Sequence, residues 1–135
     1  MVRARVDGLR TLQLGTPGQW RRRLNALVLS GRKQTTAALL EYYRTESEDA
    51  PHVGEHLALV DDHGARVGEV EVTAVEIVPL REVTWRFAES EGEGFRSVEQ
   101  WRDVHVRFWK SLGQHVDDET EVACVNFRLL DRGPS

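Results

Sequence analysis

The chain is short of lysine, cysteine and long apolar runs, and each shortage narrows what it can be. A single cysteine, Cys124, excludes an internal disulfide and agrees with a reducing compartment, so the expected location is cytoplasmic. No apolar run approaches the roughly 20 residues that a spanning helix needs, so no membrane partner is expected. The first ten residues hold three arginines and no apolar stretch, and do not read as a secretory signal. Repeats and low-complexity segments are also absent. Of 18 basic residues only Lys33 and Lys110 are lysines. Guanidinium stays charged in proteins, whereas a desolvated ammonium can lose its proton. A retained lysine therefore marks a place where a proton can move.

What is present fits one domain: 135 residues, 40% of them hydrophobic. The net charge is −4, yet residues 1–33 carry eight Arg and Lys against Asp7 alone. Such a stretch attracts an anionic partner locally, or simply solvates a helix face.

Thr16 and Pro17 read as an N-cap and first helical position. Trp20, Leu24, Leu27 and Val28 then form one apolar stripe, stopped by Gly31. Arg21, Arg22 and Arg23 begin this helix, where the macrodipole disfavours cations, which points to a binding role. Residues 35–44 (TTAALLEYYR) read as a short helix or a turn. Residues 57–60 and 67–78 read as strands, separated by an Asp61-Asp62-His63-Gly64 turn. Residues 81–91 read as a helix broken by Gly92-Glu93-Gly94. Ser97 and Gln100 have capping-box spacing ahead of a clearer helix, along which Val98, Trp101, His105, Phe108 and Leu112 follow at helical intervals. Residues 121–130 close the chain as a strand. This mixture without strict alternation predicts an α+β fold with a small curved sheet or barrel.

Two segments carry chemistry. In Gly31-Arg32-Lys33-Gln34-Thr35-Thr36 the glycine permits a turn after which lysine and a threonine hydroxyl can converge, as nucleophile and base or as phosphate ligands; a solvated helix cap is the plainer alternative. In Glu89-Ser90-Glu91-Gly92-Glu93-Gly94 carboxylates crowd a helix end that disfavours them, for proton transfer or cation binding, or as an exposed acidic loop. His52, His56 and His63 fall in loop and strand rather than on one helix, and no metal site is expected. Trp20 and Trp101 sit on core stripes, leaving Trp85 and Trp109 as candidates for stacking on bases. Cys124 reads as an inert core residue.

Residues 24–40 (LNALVLSGRKQTTAALL), 53–57 (VGEHL), 70–79 (VEVTAVEIVP) and 87–109 (FAESEGEGFRSVEQWRDVHVRFW) resemble the ASCH domain family of the PUA-like superfamily. The resemblance rests on Gly-x-Lys-x-x-Thr combined with Glu-Gly-Glu-Gly and Trp-Arg-x-x-His. It departs at Gln34 and Thr35, and at Cys124-Val125-Asn126-Phe127, where relatives often carry a glutamate after the cysteine. It implies a small mixed β-barrel with peripheral helices over residues 9–135, preceded by a flexible tail over 1–8, and a cleft that takes RNA or a modified nucleoside. Some small members look like amidohydrolases of N4-acylated cytidines, which by motif makes Lys33, Thr36 and Glu91 the catalytic residues. Arg22, Arg23, Arg32, Thr35, Glu93, Trp85 and His105 are the expected substrate contacts. In that scheme Thr36 attacks the acyl carbonyl, Lys33 acts as its base, and Glu91 passes a proton to the leaving amine or activates the deacylating water. Other members are similar to ribonucleases on single-stranded RNA assisted by divalent cations, and a non-catalytic RNA or nucleotide sensor is the third alternative. No cofactor is expected outside the ribonuclease reading, and monomer or homodimer is left open.

Overall fold

The computed structural model describes residues 5–131. Strands β1 (Arg5–Val6) and β2 (Leu9–Leu12) form a hairpin, followed by helix α1 (Gln19–Leu29), strand β3 (Thr35–Leu39) and helix α2 (Leu40–Thr45). Strands β4 (His56–Val60) and β5 (Arg66–Pro79) come next, then a 3-10 turn, Leu80–Glu82. Helices α3 (Trp85–Glu89) and α4 (Val98–Ser111) precede the last strand, β6 (Glu121–Asp131). Of the expected tail, residues 1–4 lie outside the described residues, and Arg5 and Val6 pair with Arg10 and Leu9. No helix among the described residues is long and apolar enough to cross a membrane.

The strands make one mixed sheet in the order β1-β2-β4-β5-β6-β3. Only β2 and β4 run parallel, because α1, β3 and α2 occupy the connection between them. Register shifts in β5, between Glu69 and Val70 and between Val72 and Ala74, bend this long strand so that its halves serve two cores. One core gathers Leu24 and Val28 of α1 with Leu57, Leu59, Val70, Val72 and Phe127. The other gathers Leu39, Leu80, Val83, Val122 and the buried Trp101 and Trp109 of α4.

The barrel expectation is corrected. Among the described residues the sheet is open, with β1 and β3 as its edges. Residues of β2 and of the edge strand β3 line a common cleft, together with Trp20 and Leu24 of α1 and Phe108 and Trp109 of α4.

Several local expectations also shift. Residues 35–39 are a strand, since pairing of Thr35 with Asn126 through Leu39 with Val122 overrides the helix preference of the two alanines. The cap of α1 is Gly18, not Thr16. The Gly18 N–H donates to Asp62 Oδ2 at 3.0 Å, and Arg22 lies 3.6 Å from the same oxygen, so a carboxylate from the β4–β5 turn offsets the positive helix end. The segment 81–91 divides into the 3-10 turn and α3, whose N-cap Thr84 accepts from Phe87 N. Ser97 caps α4 as its spacing predicts, but the Gln100 side chain accepts from Arg96 N, one residue beyond the N-cap N–H that a reciprocal box would use.

Candidate active site

The turn after α1 carries Lys33 into the interior. Gly31 adopts φ +83°, and the Lys33 N–H donates to Leu27 O at 3.0 Å, folding the turn back along the helix. Gln34 N then donates to Ser90 O at 2.9 Å, which pins the start of β3 against the end of α3. Gly92 makes that approach possible. Its φ is +67°, and a Cβ there would lie 2.3 Å from the Arg32 carbonyl oxygen, so only glycine lets the 90–93 loop rest on the backbone beneath Lys33. Two segments far apart in sequence are thereby zipped together.

Lys33 consequently stands between two carboxylates. Its Nζ donates to Glu93 Oε2 at 2.8 Å and lies 3.9 Å from Glu91 Oε1. Glu91 Oε2 is 3.3 Å from His105 Nε2. The His105 ring stacks on Trp101 at a centroid distance of 4.1 Å, and its Nδ1 donates to the Trp101 carbonyl at 2.8 Å, since a carbonyl only accepts. Lys33 is 3% exposed and Glu91 1%. Removing such ions from water costs several kcal/mol each, so the group persists only as a mutually compensating set.

The two carboxyls are driven apart. Burial alone would raise Glu91, but the Lys33 ammonium, with His105 and the Trp101 indole, overrides it and holds the group below the usual carboxylate value. Burial pushes Glu93 up; Lys33 opposes this, the adjacent Glu91 charge reinforces it, and the net direction is upward. Neither Glu91 Oε2 nor Trp101 Nε1 completes a well-formed hydrogen bond, leaving this corner with unspent polar capacity.

The set borders a cleft of about 330 Å³, within the range of small-molecule sites. Lys33, Thr36, Glu91, Glu93 and His105 all line it. Strand alternation separates the two threonines. Thr36 faces this cleft, whereas Thr35 is buried on the other side, donating to Phe87 O at 3.2 Å and lining a second hollow beside Cys124 and Asn126. Arg22, Arg23, Arg32 and Trp85 lie outside the lining of the cleft. Trp109 lines it, and so does Trp20, which the stripe had assigned to the core; Trp20 meets Phe108 edge-on at 4.9 Å. Among the described residues no three His, Cys, Asp or Glu side chains gather as a metal site. His56 Nδ1 instead sits 2.7 Å from Glu69 Oε2.

Two arginines that line the cleft, Arg10 and Arg21, were not among the expected substrate contacts. Arg10 is gripped by Glu55 through two 2.7 Å bonds and by Glu48 at 3.1 Å. Arg21 is buried by α1, and its signal was available: it shares a helical face with Leu24 and Val28, at i+3 and i+7.

A family model described as the ASCH domain matches residues 11–131. The crystal structure of a protein from Enterococcus faecalis V583 superposes with a TM-score of 0.79 at 27% identity, covering 90% of this chain and 76% of that one. An ASCH domain structure from Lactobacillus crispatus gives a TM-score of 0.79 at 23% identity, over 91% and 80% of the two chains. An ASCH structure from Zymomonas mobilis shares the fold more distantly, with a TM-score of 0.51 at 14% identity over 84% and 64%. No curated protein matches. The fold is the PUA-like arrangement of these neighbours, with an open sheet.

Proposed function

Because this chain belongs to the ASCH domain family, we propose that it is a hydrolase of a nucleic-acid-derived substrate, removing the acyl group from an N4-acylated cytidine. The observation that carries this reading is a lysine buried between two carboxylates on the wall of a nucleoside-sized cleft, with a threonine hydroxyl on the same wall. Environments that separate two carboxyl pKa values divide acid from base. Glu93, raised, is the proton carrier. Glu91, lowered, stays ionised and holds Lys33 and His105. This shifts the proton-passing role to Glu93 from Glu91, to which the family resemblance assigns it.

The chemistry balances as follows. Lys33 passes a proton to Glu93 across their 2.8 Å hydrogen bond and takes the Thr36 hydroxyl proton as Oγ1 adds to the acyl carbonyl. The C–N4 bond breaks as Glu93 protonates the leaving amine. Water, deprotonated by the now-ionised Glu93, then adds to the Thr36 ester; the C–Oγ1 bond breaks as Lys33 protonates Oγ1, the acid leaves, and Glu93 returns its proton to Lys33. The scheme uses no cofactor.

The ribonuclease reading would use Arg22 or Arg23 to hold the substrate backbone, and neither lines the cleft. Incubation with N4-acetylcytidine is expected to yield cytidine and acetate. Lys33→Arg and Thr36→Ala should each slow turnover by at least about 100-fold. Cleavage of a short single-stranded RNA with N4-acetylcytidine left intact would overturn the proposal.

A further inference from the structure

Arg21 lines the cleft but does nothing in the scheme above. It is 8% exposed, its Nε donates to Leu14 O at 3.0 Å, and its Nη2 donates to Gly15 O at 3.2 Å. Both acceptors are neutral carbonyls, and among the described residues no carboxylate pairs with this guanidinium. Arginine cannot shed its charge, and a buried charge without a counterion is costly. Arg10, on the same cleft, differs: Glu55 and Glu48 neutralise it.

The Arg21 site is built rather than incidental. Gly15 has φ +57°, and a Cβ there would lie 2.9 Å from Trp20 Cδ2, so glycine lets the loop close onto the first turn of α1 and present the two carbonyls that orient Arg21. Those bonds draw on Nε and Nη2 and leave Nη1 for a ligand. Arg21 stands in the first turn of α1 and Lys33 just past its last, so the two cations line the cleft from opposite ends of the helix.

We propose that Arg21 is the phosphate-binding residue of the cleft and that the substrate is a cytidine 5′-monophosphate rather than the bare nucleoside. This rests on the reading of the cleft as a cytidine site. A guanidinium that lacks a carboxylate partner matches a phosphate monoester, to which Nη1 can donate a charge-assisted hydrogen bond.

Isothermal calorimetry with cytidine and with cytidine 5′-monophosphate tests it without requiring turnover. The monophosphate should bind at least about 10-fold more tightly. Inorganic phosphate at constant ionic strength should compete with the monophosphate and not with cytidine. Arg21→Gln should bring the two affinities together; if that variant does not fold, the competition result on the wild-type chain decides. Equal affinities, no binding of the monophosphate, or a preference that survives Arg21→Gln overturns the inference. A monophosphate preference without hydrolysis of any N4-acyl compound would sink the amide reading and leave the phosphate site standing.

Discussion

Replacing Lys33 by methionine is the sharpest test of the buried charge set, because it keeps the volume and removes the cation. At an effective dielectric of about 20, the 2.8 Å and 3.9 Å contacts correspond to gross attractions of about 6 and about 4 kcal/mol. Desolvation offsets most of that, and breaking a buried pair from one side costs about 3–5 kcal/mol. For a chain of 135 residues this lowers the melting temperature by roughly 10–18 °C. The loss also acquires a pH dependence. Without the ammonium, burial raises both Glu91 and Glu93, so the folded state holds protons that the unfolded chain has released. Stability is then greatest below the ordinary carboxylate value and falls as pH rises through the raised ones. In the wild type, Glu91 has the opposite sign, its contribution being lost as pH falls through its lowered value, and Glu93 already behaves in the raised sense. Thermal melts followed by circular dichroism at pH 5 and pH 8 should show the variant's deficit widening at pH 8, and adding Glu91→Gln with Glu93→Gln should recover much of it. A Lys33→Met protein that melts within about 3 °C of wild type at pH 8, or a deficit independent of pH, refutes the reasoning.

Three other perturbations separate the parts of the site. Gly92→Ala forces a Cβ against the Arg32 carbonyl at positive φ, and should cost about 2 kcal/mol or more while lowering kcat, read from urea denaturation and initial rates. Thr35→Ala strands the Phe87 carbonyl in the interior and should destabilise by about 1–3 kcal/mol, yet leave kcat close to wild type, unlike Thr36→Ala; equal kinetic losses at the two positions would contradict the strand-face assignment. Burial, with the Glu76 and Glu91 charges, pushes the Cys124 thiol up to about 12. Iodoacetamide at pH 8 should therefore leave the native protein unlabelled, by mass spectrometry, over a time that fully labels the chain in urea.

Helical periodicity was enough to place α1 and α4, and the Ser97 cap is visible from its spacing alone, because these depend on residues within a few positions of one another. The preference for arginine marked two exceptions, Lys33 and Lys110, and burial in the tertiary structure is what separates them: Lys33 is interior and Lys110 exposed. Motif resemblance joined Lys33, Thr36 and Glu91 before any geometry. Other decisions lay beyond local pattern. Among three consecutive arginines the phase against Leu24 and Val28 singles out Arg21, but that Arg22 turns to Asp62 on the β4–β5 turn was decided only when α1 docked. Thr35 and Thr36 must face opposite ways in a strand, but pairing with β6 was needed to make residues 35–39 a strand at all. That the sheet stays open, and that β2, β3, α1 and α4 share one cleft, is settled among elements distant in the chain. The separated acidities of Glu91 and Glu93 arise from distances to Lys33 that exist only after Gly92 settles on the Arg32 backbone. Local order follows from neighbours along the chain; charge, burial and the shape of the cleft follow from neighbours in space.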